Sequence, residues 1–206
     1  MFDCGLDLKF QLTAWRGAYQ NTTKLSNNLA NLGYQLLLLH YTMATILCAT
    51  CLAPDDEMAY DQHHESFVSI LSQATDFLQS VHKIHSSTDP VFGNGADKSS
   101  FAADVGWIAP LYFTALHCRY HDIRSRAIAF LRVVPSREGA WDSMFAAAVA
   151  EEVLRIEEGD NTELWGGTIV PRERRVLDVR ITLPDGLDEE AVFTCRRGSR
   201  EEGYLN

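Results

Sequence analysis

Four short patterns in this 206-residue chain place catalytic or metal-binding residue types at recognisable spacing. Cys48-x-x-Cys51 has the spacing of a redox pair. It lies late in an apolar helical run, with no strand before it and no second pair after it, so two structural thiols are expected. His63-His64-Glu65, His82-x-x-His85 and His117-x-x-x-His121 carry metal-capable side chains, and the last has the i, i+4 spacing that shares one helix face. A helix break expected near Arg119 turns His121 away from His117, so no metal site is expected. A nucleophile elbow and a phosphate-binding loop are absent. Gly93-Asn94-Gly95 has neither the following Lys-Ser/Thr nor the preceding strand. No cofactor is expected, and no residue is singled out as catalytic.

What remains is a set of aromatic and polar side chains on apolar helices: Tyr34, His40, Tyr41, Tyr60, His64, Trp107, Tyr112, Phe113 and His117, with Asp104 beside a loop. Such residues usually belong to a core and satisfy a polar tip. They also line apolar cavities that orient a ligand with a few hydrogen bonds. His40, Tyr41, Tyr60, His64, Asp104, Trp107, Tyr112 and His117 are the candidate ligand-binding residues.

Helices must position them. Leu6, Phe10, Trp15 and Tyr19 recur at roughly helical spacing. From Lys24 to Leu52 an apolar residue returns every three or four positions, and Leu36 to Leu39 is apolar all round, which predicts a central helix covered by others. Pro54 ends it. Asp55-Asp56-Glu57 is an acidic first turn for a third helix through Tyr60, Phe67, Leu71 and Val81. The polar stretch from Lys83 to Gly106 reads as a long loop or lid. Trp107 to Cys118 and Ile123 to Val134 form a helical hairpin, with Asp122 as a cap, and Arg137 to Glu158 is a last helix stopped by Gly159. Val176, Val179, Ile181, Val192, Phe193 and Cys195 then alternate around Pro184-Asp185-Gly186, as in a hairpin.

The fold class expected is therefore mainly α, a multi-helix bundle of antiparallel helical hairpins with a small C-terminal β-hairpin. One domain spans 1–206, with N-terminal helices over 1–81, a loop or lid over 82–106, a helical hairpin plus last helix over 107–159 and a β-hairpin over 174–197.

A net charge of −10 repels phosphate backbones, so no direct nucleic-acid binding is expected. Arginines crowd the second half, yet acids outnumber them there too. Five scattered cysteines suit a reducing compartment, and the N-terminus lacks a basic signal-peptide region; a cytoplasmic or nuclear protein is expected. Tyr34 to Ala53 is uncharged over the length of a membrane span. Its Gln, His and Thr residues, and flanks without Lys/Arg clustering, point to a buried core helix and no membrane partner.

Three segments carry a family resemblance: FAADVGWIAPLYF from Phe101 to Phe113, CRYHDIRSRAI from Cys118 to Ile128, and PSREGAWD from Pro135 to Asp142, continued by Val149 to Val153. Together they resemble the C-terminal half of the fungal specific transcription factor domain, the effector region behind the six-cysteine zinc cluster of fungal regulators. The resemblance is most specific between Phe101 and Glu158. The chain departs from that family in lacking the six closely spaced cysteines, in beginning shortly before the Trp15 helix, and in having Asp122 where the family's turn usually has Pro. It implies a reduced effector scaffold without a DNA reader. On that view Arg119, Arg124, Arg126 and Arg137 pair with Glu138, Asp142 and Glu151 across packed helices, and Trp107 and Trp141 anchor the core.

Two functions are compatible with this. The favoured one is binding of an apolar small metabolite in fungal specialised metabolism, with cofactor-free cyclisation, pericyclic reaction (Diels-Alder type) or isomerisation as the compatible chemistry. The alternative is a non-enzymatic effector that pairs with a regulator or forms a homodimer.

Overall fold

The computed structural model describes residues 4–22, 28–51, 56–87, 100–102, 106–133, 135–159, 169–182 and 192–197. It is mainly helical, with a small antiparallel hairpin near the C-terminus. Six helices run in chain order: α1 (Cys4–Thr22), α2 (Asn28–Thr50), α3 (His64–Ser87), α4 (Ile108–His117), α5 (His121–Val133) and α6 (Ser143–Glu158). Sequential neighbours pack as hairpins, α1 on α2, α2 on α3 and α4 on α5, and α6 lies across α4 and α5.

The core is where their apolar faces meet. Leu39 and Ile46 of α2 and Phe67, Ile70, Leu71 and Ala74 of α3 close on Ile108, Leu111 and Ala115 of α4. Ile123, Ala127, Ile128 and Leu131 of α5 complete it with Ala146, Ala147 and Ala150 of α6. The alanines let α6 approach closely, so a short helix buries a whole face.

Helix ends follow local chemistry. A 3₁₀ turn over Glu57–His63 leads into α3, and Asp56 caps it by accepting the Met58 N–H. Asp142 caps α6 by accepting the Phe145 N–H at 3.0 Å, and Gly159, at φ 74°, ends the helix in the left-handed region that glycine adopts without strain. Pro110 sits in the first turn of α4, where a missing N–H removes nothing. Cys118 turns extended (φ −68°, ψ 141°), which is the expected break between α4 and α5.

The described residues also form five strands. β1 (Ser100–Ala102) pairs in parallel with β2 (Ser136–Glu138), and β2 pairs antiparallel with β3 (Trp141–Asp142). β4 (Val176–Thr182) and β5 (Val192–Arg197) form the hairpin, with a register shift between Val176 and Asp178. Its apolar side, Val176, Val179, Phe193 and Cys195, packs on Val153 and Ile156 of α6.

Some expectations differ from the structure. Helix α3 continues to Ser87, past the boundary expected at residue 82. Residues 88–99 and 103–105 of the expected loop or lid, and the Pro184-Asp185-Gly186 turn, lie outside the described residues. Helix α2 is not covered all round: Leu39 and Ile46 are buried, while Leu37 and Leu47 are 49% and 41% exposed. One stretch, Ala30–Thr50, is long and apolar enough by length and composition to cross a membrane.

Candidate functional site

Seven of the eight residues expected to line one ligand site lie among the described residues, and they pack against different neighbours. His40 reaches from α2 to the Gly106 carbonyl, 2.6 Å away, so its Nε2 carries the donated proton. Trp107 is buried, with ring centroids 5.7 Å from Phe77 and 6.4 Å from Phe130. Tyr41 stacks on Trp15 at 5.1 Å, under the Arg16 guanidinium, on the α1–α2 side. Tyr60 stacks on His117 at 4.4 Å, and His64 meets the ring of Tyr120 edge-on at 4.2 Å. Tyr112 faces a different region altogether. Asp104 lies outside the described residues. Trp107, Tyr41, Tyr60, His64 and His117 each make an aromatic contact.

The cavity belongs to Tyr112. A half-open groove of about 260 Å³ runs between α4, the β2–β3 turn, α6 and β4. Tyr112 and Trp141 line it together, their rings in contact at 5.5 Å between centroids and tilted 59°, with the partly exposed Trp141 at the rim. Phe145, Ala146 and Val149 are the floor contributed by α6, Ala140 the turn at one end, and Ile181 of β4 the other. The lining side chains are apolar except for the Tyr112 hydroxyl, the Trp141 indole N–H and the Asp142 carboxylate. That carboxylate is already engaged, capping α6 and lying 3.7 Å from Arg137. The Tyr112 hydroxyl has no hydrogen-bond partner among the described residues. Burial pushes its pKa up to about 12, so it stays a neutral donor. Trp141 does not anchor the core as expected: it is 44% exposed, because β3 ends in the α6 cap and leaves the indole at the rim.

A second constellation is wholly buried. Arg119, Arg124, Glu157 and Glu158 are each at most 2% exposed. Arg119 Nη1 donates to Glu157 Oε1 at 2.8 Å, and Arg124 Nη1 lies 2.5 Å from Glu157 Oε2. Arg124 Nε donates to the Ala115 carbonyl at the end of α4, and the Val176 N–H that opens β4 donates to Glu157 Oε1 at 2.7 Å. His121 Nδ1 is 2.6 Å from Glu158 Oε2, while Ser125 Oγ is 3.1 Å from its Nε2. Two guanidiniums and two carboxylates thus balance where α4, α5, α6 and β4 converge. The cluster is closed to any substrate and acts as a joint. Nearby Arg175 grips Asp61 with two bonds of 3.0 Å, tying the hairpin to the turn before α3.

These partners correct the pairing expected from the sequence. Arg119 and Arg124 take Glu157 and Glu158, Glu151 takes Arg132, and only Arg137 meets an expected partner, Asp142. Arg126 is exposed. Glu138 serves the backbone instead of an arginine. Its carboxylate accepts the N–H groups of Gly106, Trp107 and Ile108 at 3.1, 2.9 and 3.1 Å, satisfying the start of α4. A Cβ at position 106 would overlap that carboxylate, so a side chain there would displace Glu138 from the amides it holds. A local signal for the buried joint does exist. Two glutamates close α6, where the helix dipole disfavours negative charge, and such a pair needs cations from elsewhere.

The thiols and histidines follow the same logic. Cys48 is buried and Cys51 exposed, with no disulfide between them. Cys118 is buried, and that burial pushes its pKa up to about 11 against the pull of the Tyr120 backbone and the two arginines. It is not a nucleophile near neutral pH. Burial lowers the pKa of His63. His117 and His121, four apart, diverge onto Tyr60 and Glu158. Among the described residues no group of three His, Cys, Asp or Glu is placed to hold a metal.

Compared with protein-family models, curated proteins and solved structures, the chain matches none.

Proposed function

We propose that this protein binds an apolar small molecule in the groove lined by Tyr112, Trp141 and Phe145. The observation that carries the reading is the groove itself: about 260 Å³ of apolar space with one neutral hydroxyl that the protein leaves unengaged among its described residues. Ligand sites combine such a lining with a few orienting polar groups. The likeness of the 101–158 stretch to the fungal specific transcription factor domain supports the same reading, as an effector-type body that works without a DNA reader. Where turnover occurs, it belongs to the cofactor-independent cyclisations, pericyclic reactions or isomerisations. There the groove would hold a reactive conformer and Tyr112 would donate to a developing negative charge.

Thermal denaturation with neutral apolar compounds tests binding. A ligand at a hundred times its Kd stabilises by about 2.7 kcal/mol, which for a chain of this size is a rise in Tm of roughly 5–10 °C. Ala140→Trp, at an exposed turn position, fills one end of the groove and abolishes the rise. No rise with any compound, or an equal rise in the variant, refutes the reading. Turnover is read separately, from product ratios of a reactive polyene with and without the protein; equal ratios leave a binding protein.

One observation favours an interaction role instead. Met144 and Phe145 are 41% and 40% exposed beside the Trp141 rim, a patch of the kind that partners cover. A ligand-insensitive Tm together with concentration-dependent sedimentation, lost in Trp141→Ala, would establish that reading in place of the first.

A further inference from the structure

We propose that the ligand class of this groove is a neutral, planar, fused bicyclic ring carrying one hydrogen-bond acceptor, such as a ring ketone or aldehyde. The inference rests on the groove being a ligand site, and it adds size, shape, charge and polarity.

Size comes from volume. An apolar cavity of about 150 Å³ accepts benzene, so about 260 Å³ has room for a second fused ring and little more. Shape comes from the walls. Tyr112, Trp141 and Phe145 put three aromatic side chains along the groove, the first two in contact with each other at 5.5 Å between centroids, and their exposed surfaces suit a flat molecule. Aromatic faces prefer offset or tilted aromatic partners over flexible chains, which would lose rotational freedom on entering.

Charge comes from the rim. Asp142 lines the groove, and the chain carries a net −10, so an anionic ligand meets repulsion both near and far. Arg137 is mostly exposed and faces Asp142, which it neutralises only in part. Polarity comes from Tyr112. Its hydroxyl is a donor that the described residues leave unused, and it pairs with an acceptor on the ring.

Isothermal titration with four probes tests this: 2-acetonaphthone, naphthalene, 2-naphthoate and 1-decanol, against the wild type, Tyr112→Phe and Ala140→Trp. The ketone binds at least tenfold more tightly than the carboxylate and the linear alcohol. Tyr112→Phe weakens the ketone by roughly fivefold, the effect of one hydrogen bond, and leaves naphthalene unchanged. Ala140→Trp removes both. If decanol or naphthoate binds as well as the ketone in the wild type but not in Ala140→Trp, the groove is a ligand site and the proposed class is wrong. The class is equally wrong if Tyr112→Phe has no effect on the ketone. If no probe binds, or Ala140→Trp binds like the wild type, the groove reading itself falls and takes the class with it.

Discussion

Among single residues, the most consequential is Glu157, whose two oxygens collect Arg119, Arg124 and the Val176 amide. Glu157→Gln keeps the volume and removes the charge, leaving two buried guanidiniums to share the single carboxylate of Glu158. The expected loss is about 3–5 kcal/mol, read from urea denaturation. Glu151→Gln, which breaks the exposed pair with Arg132, should change the midpoint far less, since such pairs contribute under about 1 kcal/mol. A second residue-scale expectation concerns alkali. The folded Cys118 thiol titrates at about 11 against an ordinary 9.0, and the Tyr112 phenol at about 12 against 10.0. The unfolded chain therefore ionises first. The stability tied to Cys118 is complete below pH 9 and is lost towards pH 11; that tied to Tyr112 is lost between 10 and 12. Urea midpoints across pH 8–12 should fall in that window, and Cys118→Ala should remove the lower limb of the fall. A midpoint flat to pH 11 would contradict the burial of the thiol.

For the secondary-structure elements, legibility follows the range of the forces involved. Helices α2 to α6 are readable because an apolar face repeating every three or four residues is local, as are the Asp142 cap and the Gly159 stop. Strand β1 is not readable. Ser100–Ala102 is three residues long, and its pairing with Ser136–Glu138 depends on chain more than thirty residues away. The buried joint is half visible: the arginines stand out, but their partner Glu157 lies 38 residues downstream of Arg119, so spacing could not select it over Glu138 or Glu151. The groove is the least visible, since four elements contribute its walls, and of the described candidates only Tyr112 reaches it. The clasp at the start of α4 is testable at this scale. Gly106→Ala drives a methyl into the Glu138 carboxylate and should destabilise by about 1–3 kcal/mol. In Glu138→Ala the same substitution should do much less, because the obstacle is gone. Additivity in that double-mutant cycle would show the two sites to be uncoupled.

For the whole molecule, the distribution of burial says which parts can be removed. No described side chain of α1 is buried, whereas α4, α5 and α6 hold most of the core. Helix α1 is attached to α2 by the Trp15–Tyr41 stack and the Tyr19–Tyr34 edge contact, at 5.1 and 5.6 Å. A chain beginning at Asn28 should therefore still unfold in one cooperative calorimetric transition, with Tm lowered by several degrees, while Ala147 and Ala150 remain among the slowest amides to exchange. Loss of the transition would make α1 part of the core.

The turn at Gly139 and Ala140 links two duties across the molecule. Glu138 and Trp141 are register partners on either side of it, one clasping the first amides of α4 and, through Gly106, the imidazole on α2, the other forming the lip of the groove. Adding a single residue there would flip one strand's side chains to the opposite face. Such an insertion would unfasten a distant helix and dismantle the lip in the same event, so the length of this two-residue bend is more tightly constrained than the identity of the residues within it.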